Sequence, residues 1–232
     1  MLAPPLAHAG PADHVYTPAV EYGEKEVEFK LGSARKADDP RESSASIGFG
    51  YGATEWWFTE ASLKYRRANN QAAGYDAVEW ENKFQLTETG RYPVDAGFLL
   101  EVERPKNHAE GWEVTWGPLF QTEFGKIQVN ANALFQRSYR AEAPGQTTFL
   151  YQWQAKYRWL QQFEFGLQGF GATGRWNDWA PKAERSHRVG PAVFGKLPIG
   201  DRQAVRYNAA WLRETSGSAP ENVIRMQIEY EF

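Results

Sequence analysis

The 232-residue chain contains no cysteine, which excludes disulfides and thiol chemistry and removes the thiolate ligands of most zinc clusters. It has no run of 18 apolar residues, so no stretch of it can cross a membrane as a hydrophobic helix. Charge of one sign is also scarce. A net charge of −3 gives no basic excess to attract nucleic acid. Histidine occurs only at His8, His14, His108 and His187. Ser186 and His187 are neighbours whose side chains leave a strand on opposite faces, so they cannot pair directly. No nucleophile with a base and an orienting residue stands out, and the chain is read as neither an enzyme nor a cofactor protein.

Aromatic residues, by contrast, are plentiful. Ten Trp, eleven Tyr and fourteen Phe make up 15% of the chain, yet mean hydropathy is only −0.64. Both values fit strands whose one face is apolar and whose other face is polar, because averaging hides the apolar band.

From Glu24 onward the chain breaks into short alternating segments. Val27, Phe29 and Leu31 alternate with Glu26, Glu28 and Lys30; Trp57, Thr59, Ala61, Leu63 and Tyr65 oppose Phe58, Glu60, Ser62, Lys64 and Arg66. Val78, Trp80, Phe84 and Leu86 oppose Glu79, Glu81, Lys83 and Gln85, with Asn82 out of place on the apolar side. The theme continues through Ile127–Phe135, Phe149–Trp159 and Val205–Trp211, giving about twelve strands. Pro118 and Pro191 interrupt two of them; each follows a glycine, which predicts a β-bulge. Connections alternate in length. Short turns fall near Ala53-Thr54, Thr89-Gly90-Arg91, Phe124-Gly125, Gln161-Gln162 and Gly200-Asp201. Longer polar loops fall at Ala37–Ser43, Ala68–Gly74, Pro105–Glu110, Ser138–Gly145, Asn177–Glu184 and Glu214–Pro220. Trp112, Trp211 and Phe149 lie toward the loop ends of their strands, and Trp57, Trp159, Phe163 and Phe232 toward the turn ends, where headgroup-level rings belong.

The final stretch alternates without a fault. Ile224, Met226, Ile228, Tyr230 and Phe232 share one face, and Arg225, Gln227, Glu229 and Glu231 the other. The competing reading is an edge strand of a soluble sheet. The pattern resembles the C-terminal signal of bacterial outer-membrane β-barrels, an apolar alternation closed by a terminal Phe. That resemblance implies recognition by the barrel-assembly machinery, a Gram-negative outer-membrane location in contact with lipid, and barrel closure by the last strand. The expected fold is therefore all-β: a closed antiparallel transmembrane barrel of about twelve strands, with short periplasmic turns and longer extracellular loops.

At the other end, Ala7-His8-Ala9 is a signal-peptidase pattern without a charged region or full apolar region before it. Residues 1–9 are read as the remnant of a signal peptide, 10–23 as a periplasmic N-terminal segment and 24–232 as the barrel. A disordered Pro/Ala-rich terminus is the alternative.

If the apolar face meets lipid, the polar face lines a lumen. Glu60, Glu79, Glu81, Asp95, Glu101 and Glu113 are expected to form an acidic pore wall, and Lys156, Arg158, Arg188, Lys196, Arg206 and Arg225 a basic one opposite. Glu60, Glu81, Arg206 and Arg225 fall nearest mid-height. Opposed walls create a transverse field that favours small polar or charged solutes. The expected function is passive passage of such solutes through a porin-like channel. The alternatives are a plugged barrel whose charges pair with one another, as Arg225 would beside Glu26 and Glu28 at the seam, acting as a membrane anchor or part of an envelope transport complex, and a lipid-modifying enzyme. No metal site is expected, although the carboxylates would hold Ca²⁺ weakly.

Overall fold

A computed structural model describes residues 10–36, 41–67, 72–143, 145–201, 203–216 and 221–232. The expected leader remnant, 1–9, lies outside the described residues, as do parts of four of the six expected loops. Among the described residues twelve long strands form: β1 (Lys25–Lys36), β2 (Glu42–Gly52), β3 (Trp57–Arg67), β4 (Gly74–Gln85), β5 (Asp95–Pro105), β6 (Trp112–Phe124), β7 (Ile127–Tyr139), β8 (Thr148–Leu160), β9 (Phe163–Arg175), β11 (Ser186–Pro198), β12 (Ala204–Glu214) and β13 (Glu221–Glu231). A two-residue strand, β10 (Asp178–Trp179), extends the hairpin arm beyond β9.

Every long strand pairs antiparallel with the next one along the chain, and β13 returns to pair with β1 from Glu26↔Glu231 to Lys36↔Glu221. The sheet is therefore closed and has no edge. Closure is what permits a sheet to cross lipid, since each unpaired backbone group in hydrocarbon costs several kcal/mol.

Alternation turns this cylinder inside out relative to a soluble protein. Phe29, Leu31, Ile47, Phe49, Leu63, Trp80, Trp211 and Ile224 are exposed on the outer face, whereas Glu28, Glu60, Glu79, Asn130, Gln154 and Gln168 are buried within. The outer band is what lipid would cover. Asn82, the misplaced polar residue on the outer face, is buried because Trp57 Nε1 donates to its Oδ1 at 3.0 Å. Rings also sit at the strand ends, with Tyr230 and Phe232 stacked at 5.4 Å.

The two Gly-Pro interruptions are not bulges. Trp116 pairs with Phe135 and Leu119 with Asn132, so β6 keeps its register across Gly117-Pro118 and omits two ladder partners toward β7. β11 does the same toward β12 across Gly190-Pro191. A proline lacks the N–H for one neighbour but can still align with the other, as Pro118 does with Phe98 and Pro191 with Leu167. The β4–β5 connection also differs from a tight turn, running from 86 to 94.

Candidate lumenal site

Of the segment from Gly10 to Gly23, expected on the periplasmic side, the part from Gly10 to Val20 lies inside the barrel and Glu21 to Gly23 are exposed at its turn end. It passes from the loop end of the lumen to the turn end, where Gly23 N–H donates to the Gly52 carbonyl at 2.8 Å and the chain turns back into β1. Small residues make room for it. A Cβ on Gly32 would collide with the Pro11 backbone carbonyl, and one on Gly97 would press on Pro18. The segment has only two strongly apolar side chains near its middle, and each finds an apolar patch in an otherwise polar lumen. Val15 packs with Ala34, Phe170, Ala192, Phe194, Ala210, Leu212 and Val223. Tyr16 packs on the other side against the cluster Leu99, Leu119 and Leu134, which Leu150 also covers. Burial of these groups anchors the segment by the hydrophobic effect even though the barrel as a whole is inverted.

Polar contacts fix its course. Arg225 Nη1 donates to the Asp13 carbonyl at 2.7 Å, Asn132 Nδ2 to the Tyr16 carbonyl at 3.1 Å, and Tyr16 Oη to Glu101 Oε2 at 2.8 Å. Lower down, Val20 N–H donates to Gln85 Oε1 at 2.7 Å. None of these contacts replaces a ladder bond.

The segment divides the lumen into two cavities. The one at the loop end has a volume of about 840 Å³ and is lined by Glu42, Asp76, Glu79, Glu103, Glu113 and Arg188 among others. The one at the turn end has about 520 Å³ and is lined by Glu24, Glu26, Glu60, Glu81, Lys83 and Arg206 among others.

The expected acidic wall points inward. Glu60, Glu79, Glu81, Asp95 and Glu101 are buried on the lumenal face, and Glu113 is half-buried there, accepting from Gln136 Nε2 at 2.7 Å. Registration makes it denser than sequence suggests. Glu60 lies directly across from Glu81, and Glu81 directly across from Glu101, on three successive strands. Like charges so placed repel, and two lysines relieve them. Lys64 Nζ bonds to Glu79 and, at 2.6 Å, to Glu103; Lys30 Nζ bonds to Glu28 and lies 3.8 Å from Glu60. Glu79, Glu101 and Glu103 are close enough to share a cation, but the Lys64 ammonium already meets that charge. Asp95 departs from the wall in role: its Oδ1 accepts from Gly90 N–H at 2.8 Å and shapes the β4–β5 connection.

The expected basic wall does not exist as an unbalanced surface. Its residues reach the lumen, but five of six pair with carboxylates. Lys156 binds Glu164 at 2.7 Å, Arg158 binds Glu123 at 2.7 Å, Arg188 binds Glu221 at 2.5 Å and Lys196 binds Glu231 at 2.7 Å. Arg206 binds Glu231 and approaches Glu24, which places it at the turn end and not at mid-height. Of the neutralising acids, Glu164 and Glu231 were legible on the polar faces of their strands, whereas Glu214 fell in an expected loop and Glu221 just outside the expected last strand, because both are the end residues of β12 and β13.

Arg225 is the exception. It lies across from Gly32 on β1, whereas Glu28 faces Glu229 and Glu26 faces Glu231, so the expected pairing at the seam does not form. Its guanidinium is 2% exposed, stacks 5.3 Å from the Phe170 ring and donates to Gln168 Oε1 and Asn208 Oδ1. Ser186 and His187 diverge as expected: Ser186 Oγ donates to Glu214 Oε2 at 3.1 Å, while His187 Nδ1 lies 2.5 Å from the Tyr151 hydroxyl on the outer face.

An edgeless antiparallel cylinder with an apolar exterior, a polar interior and aromatic ends defines an outer-membrane β-barrel. Comparison with solved structures gives the same fold. The NanC porin is 10% identical, with 89% of this chain and 100% of that one covered and a TM-score of 0.58. An outer membrane channel from Pseudomonas putida F1 is 10% identical, with 94% and 98% covered and a TM-score of 0.57. No protein-family model matches the chain, and no curated protein matches it in sequence. At such identities the likeness is one of fold.

Proposed function

We propose that the chain is an outer-membrane channel for passive passage of small polar or charged solutes. The observation that carries this reading is the lumen itself, polar toward both ends and holding two cavities of about 840 and 520 Å³ there. A barrel of this strand number encloses more space than its own side chains fill, and here that space is lined by carboxylates, amides and ammonium groups. The reading involves no catalysis and no cofactor. Its partners are lipid around the outer band, the assembly machinery at the β13 face of Ile224, Met226, Ile228, Tyr230 and Phe232, and the transported solutes.

Single-channel recording of the refolded chain in a planar bilayer tests it. Discrete current steps are expected. A folded, heat-modifiable barrel that gives none would favour a second reading, a closed barrel serving as a membrane anchor or as part of an envelope transport complex. One observation favours that second reading: the segment 10–23 occupies the waist between the cavities.

A further inference from the structure

At the waist, the residues Asp13 to Tyr16 lie across the lumen as a bound peptide would. One wall presents Arg225, a buried guanidinium on which the Asp13 and Glu28 carboxylates act without any carboxylate within 4 Å among the described residues, its N–H groups taken by amide and carbonyl oxygens. A buried charge without a counter-ion in direct contact is costly, and side-chain amides are weak substitutes for one. Beside it an apolar pocket built on Phe170, Phe194 and Leu212 holds Val15. The opposite wall presents acceptors. Glu101 accepts a hydrogen bond from the Tyr16 hydroxyl, and Asn132, 3% exposed, donates to the Tyr16 carbonyl while its own Oδ1 has no donor among the described residues. A cation-binding end, an apolar middle and an anion-binding end are thus arranged in the order acceptor, apolar, donor. The four residues between the two walls span at most about 14 Å when extended.

We infer that the waist is a binding site for short zwitterionic peptides with apolar side chains, and that the chain's own residues 13–16 occupy it as a surrogate. A peptide carboxylate would give Arg225 the counter-ion that the Asp13 carbonyl only approximates. The apolar side chain takes the place of Val15, and the peptide ammonium meets Asn132 Oδ1 on the wall that also carries the Glu101 carboxylate. Such a solute competes with the segment, and its passage and the opening of the waist are one event. Neutral sugars lack both charged ends and have no such advantage. The inference rests on the channel reading.

The test uses the full chain in liposomes and planar bilayers, with the tripeptide Tyr-Val-Ala carrying free ends as the probe; it runs opposite to residues 13–16, so that its carboxylate meets Arg225 and its Tyr lies where Tyr16 does. Liposome swelling with the free peptide is compared with the N-acetylated form, the C-terminal amide, the doubly capped form and an uncharged sugar of similar size. The free peptide is expected to enter about tenfold faster than the doubly capped one, with each single cap giving an intermediate rate. Arg225→Gln should abolish the effect of the C-terminal cap and leave that of the N-terminal cap. Equal rates for all four peptides in a chain that passes salt current would overturn the inference and leave the channel reading standing. A folded chain that passes neither salt nor peptide would overturn both. Because the capping series needs no variant, the test survives a variant that fails to fold.

Discussion

Arg225 and Asp13 are 212 residues apart in sequence, and the Arg225 guanidinium donates to the Asp13 carbonyl at 2.7 Å. This bond ties the last strand of the barrel to the segment that enters before the first. It exists because the guanidinium is buried among Gln168, Asn208 and Phe170, where a carbonyl dipole is the best remaining partner. A charge-assisted hydrogen bond of this kind contributes about 1.5–3 kcal/mol.

Arg225→Met should therefore loosen the segment. The ratio of open to closed time in single-channel records is expected to rise by about tenfold to a hundredfold, the equivalent of that one bond. Unchanged dwell times would mean that the segment is held by its apolar contacts alone.

Gly32→Ala probes the same contact from the other side. The added Cβ has no room beside the Pro11 carbonyl, while the β-ladder on either side of Gly32 needs no glycine. The variant is expected to fold with normal heat modifiability and to expose the segment. A single cysteine introduced at Ala12 should then react faster with a water-soluble maleimide than it does beside Gly32. The chain's lack of native cysteine makes that readout clean.

Current through the barrel should be carried by cations. The loop-end cavity is lined by eleven carboxylates against five lysines and arginines, and the turn-end cavity by eight against five. Replacing Glu81 and Glu101 together by Gln should move the reversal potential in a salt gradient toward that of a non-selective pore. A wild-type channel that prefers anions would contradict this assignment of the wall.

Lys64→Met should be among the most destabilising lumenal substitutions. It leaves Glu79 and Glu103 buried or half-buried without their cation, at an expected cost of about 3–5 kcal/mol. The temperature at which the folded band is lost in gel mobility assays should fall. Adding Glu79→Gln should recover part of it, because the repulsion that Lys64 relieved is then reduced. No recovery in the double variant would show that packing, not charge, makes the lysine important.

On the outer face, Trp57→Phe should cost about 1–3 kcal/mol by leaving the Asn82 amide oxygen unpaired against lipid. Asn82→Leu in the same background should restore stability in urea titrations. If the double variant is no better than Trp57→Phe, the hydrogen bond is not what makes Asn82 tolerable on that face.

The sequence by itself determined the barrel. Alternation along Trp57–Arg66, Phe149–Trp159 and Ile224–Phe232 assigns each side chain to a face, and the short-long rhythm of connections orders strands next to their chain neighbours. Both signals are local, so one chain suffices to read them. The same local logic placed Glu60, Glu79, Glu81 and Glu101 inward correctly. It failed where a partner is remote. Nothing local pairs Arg158 with Glu123 or Arg206 with Glu231, and the supposed basic wall disappears once those pairs form. Nor does a Pro/Ala-rich stretch without alternation announce where it lies. Only the tertiary structure decided that Val15 and Tyr16 enter the lumen, because their apolar patches are assembled from β1, β9, β11, β12 and β13 on one side and β5 to β8 on the other. Those patches exist only after the cylinder has closed.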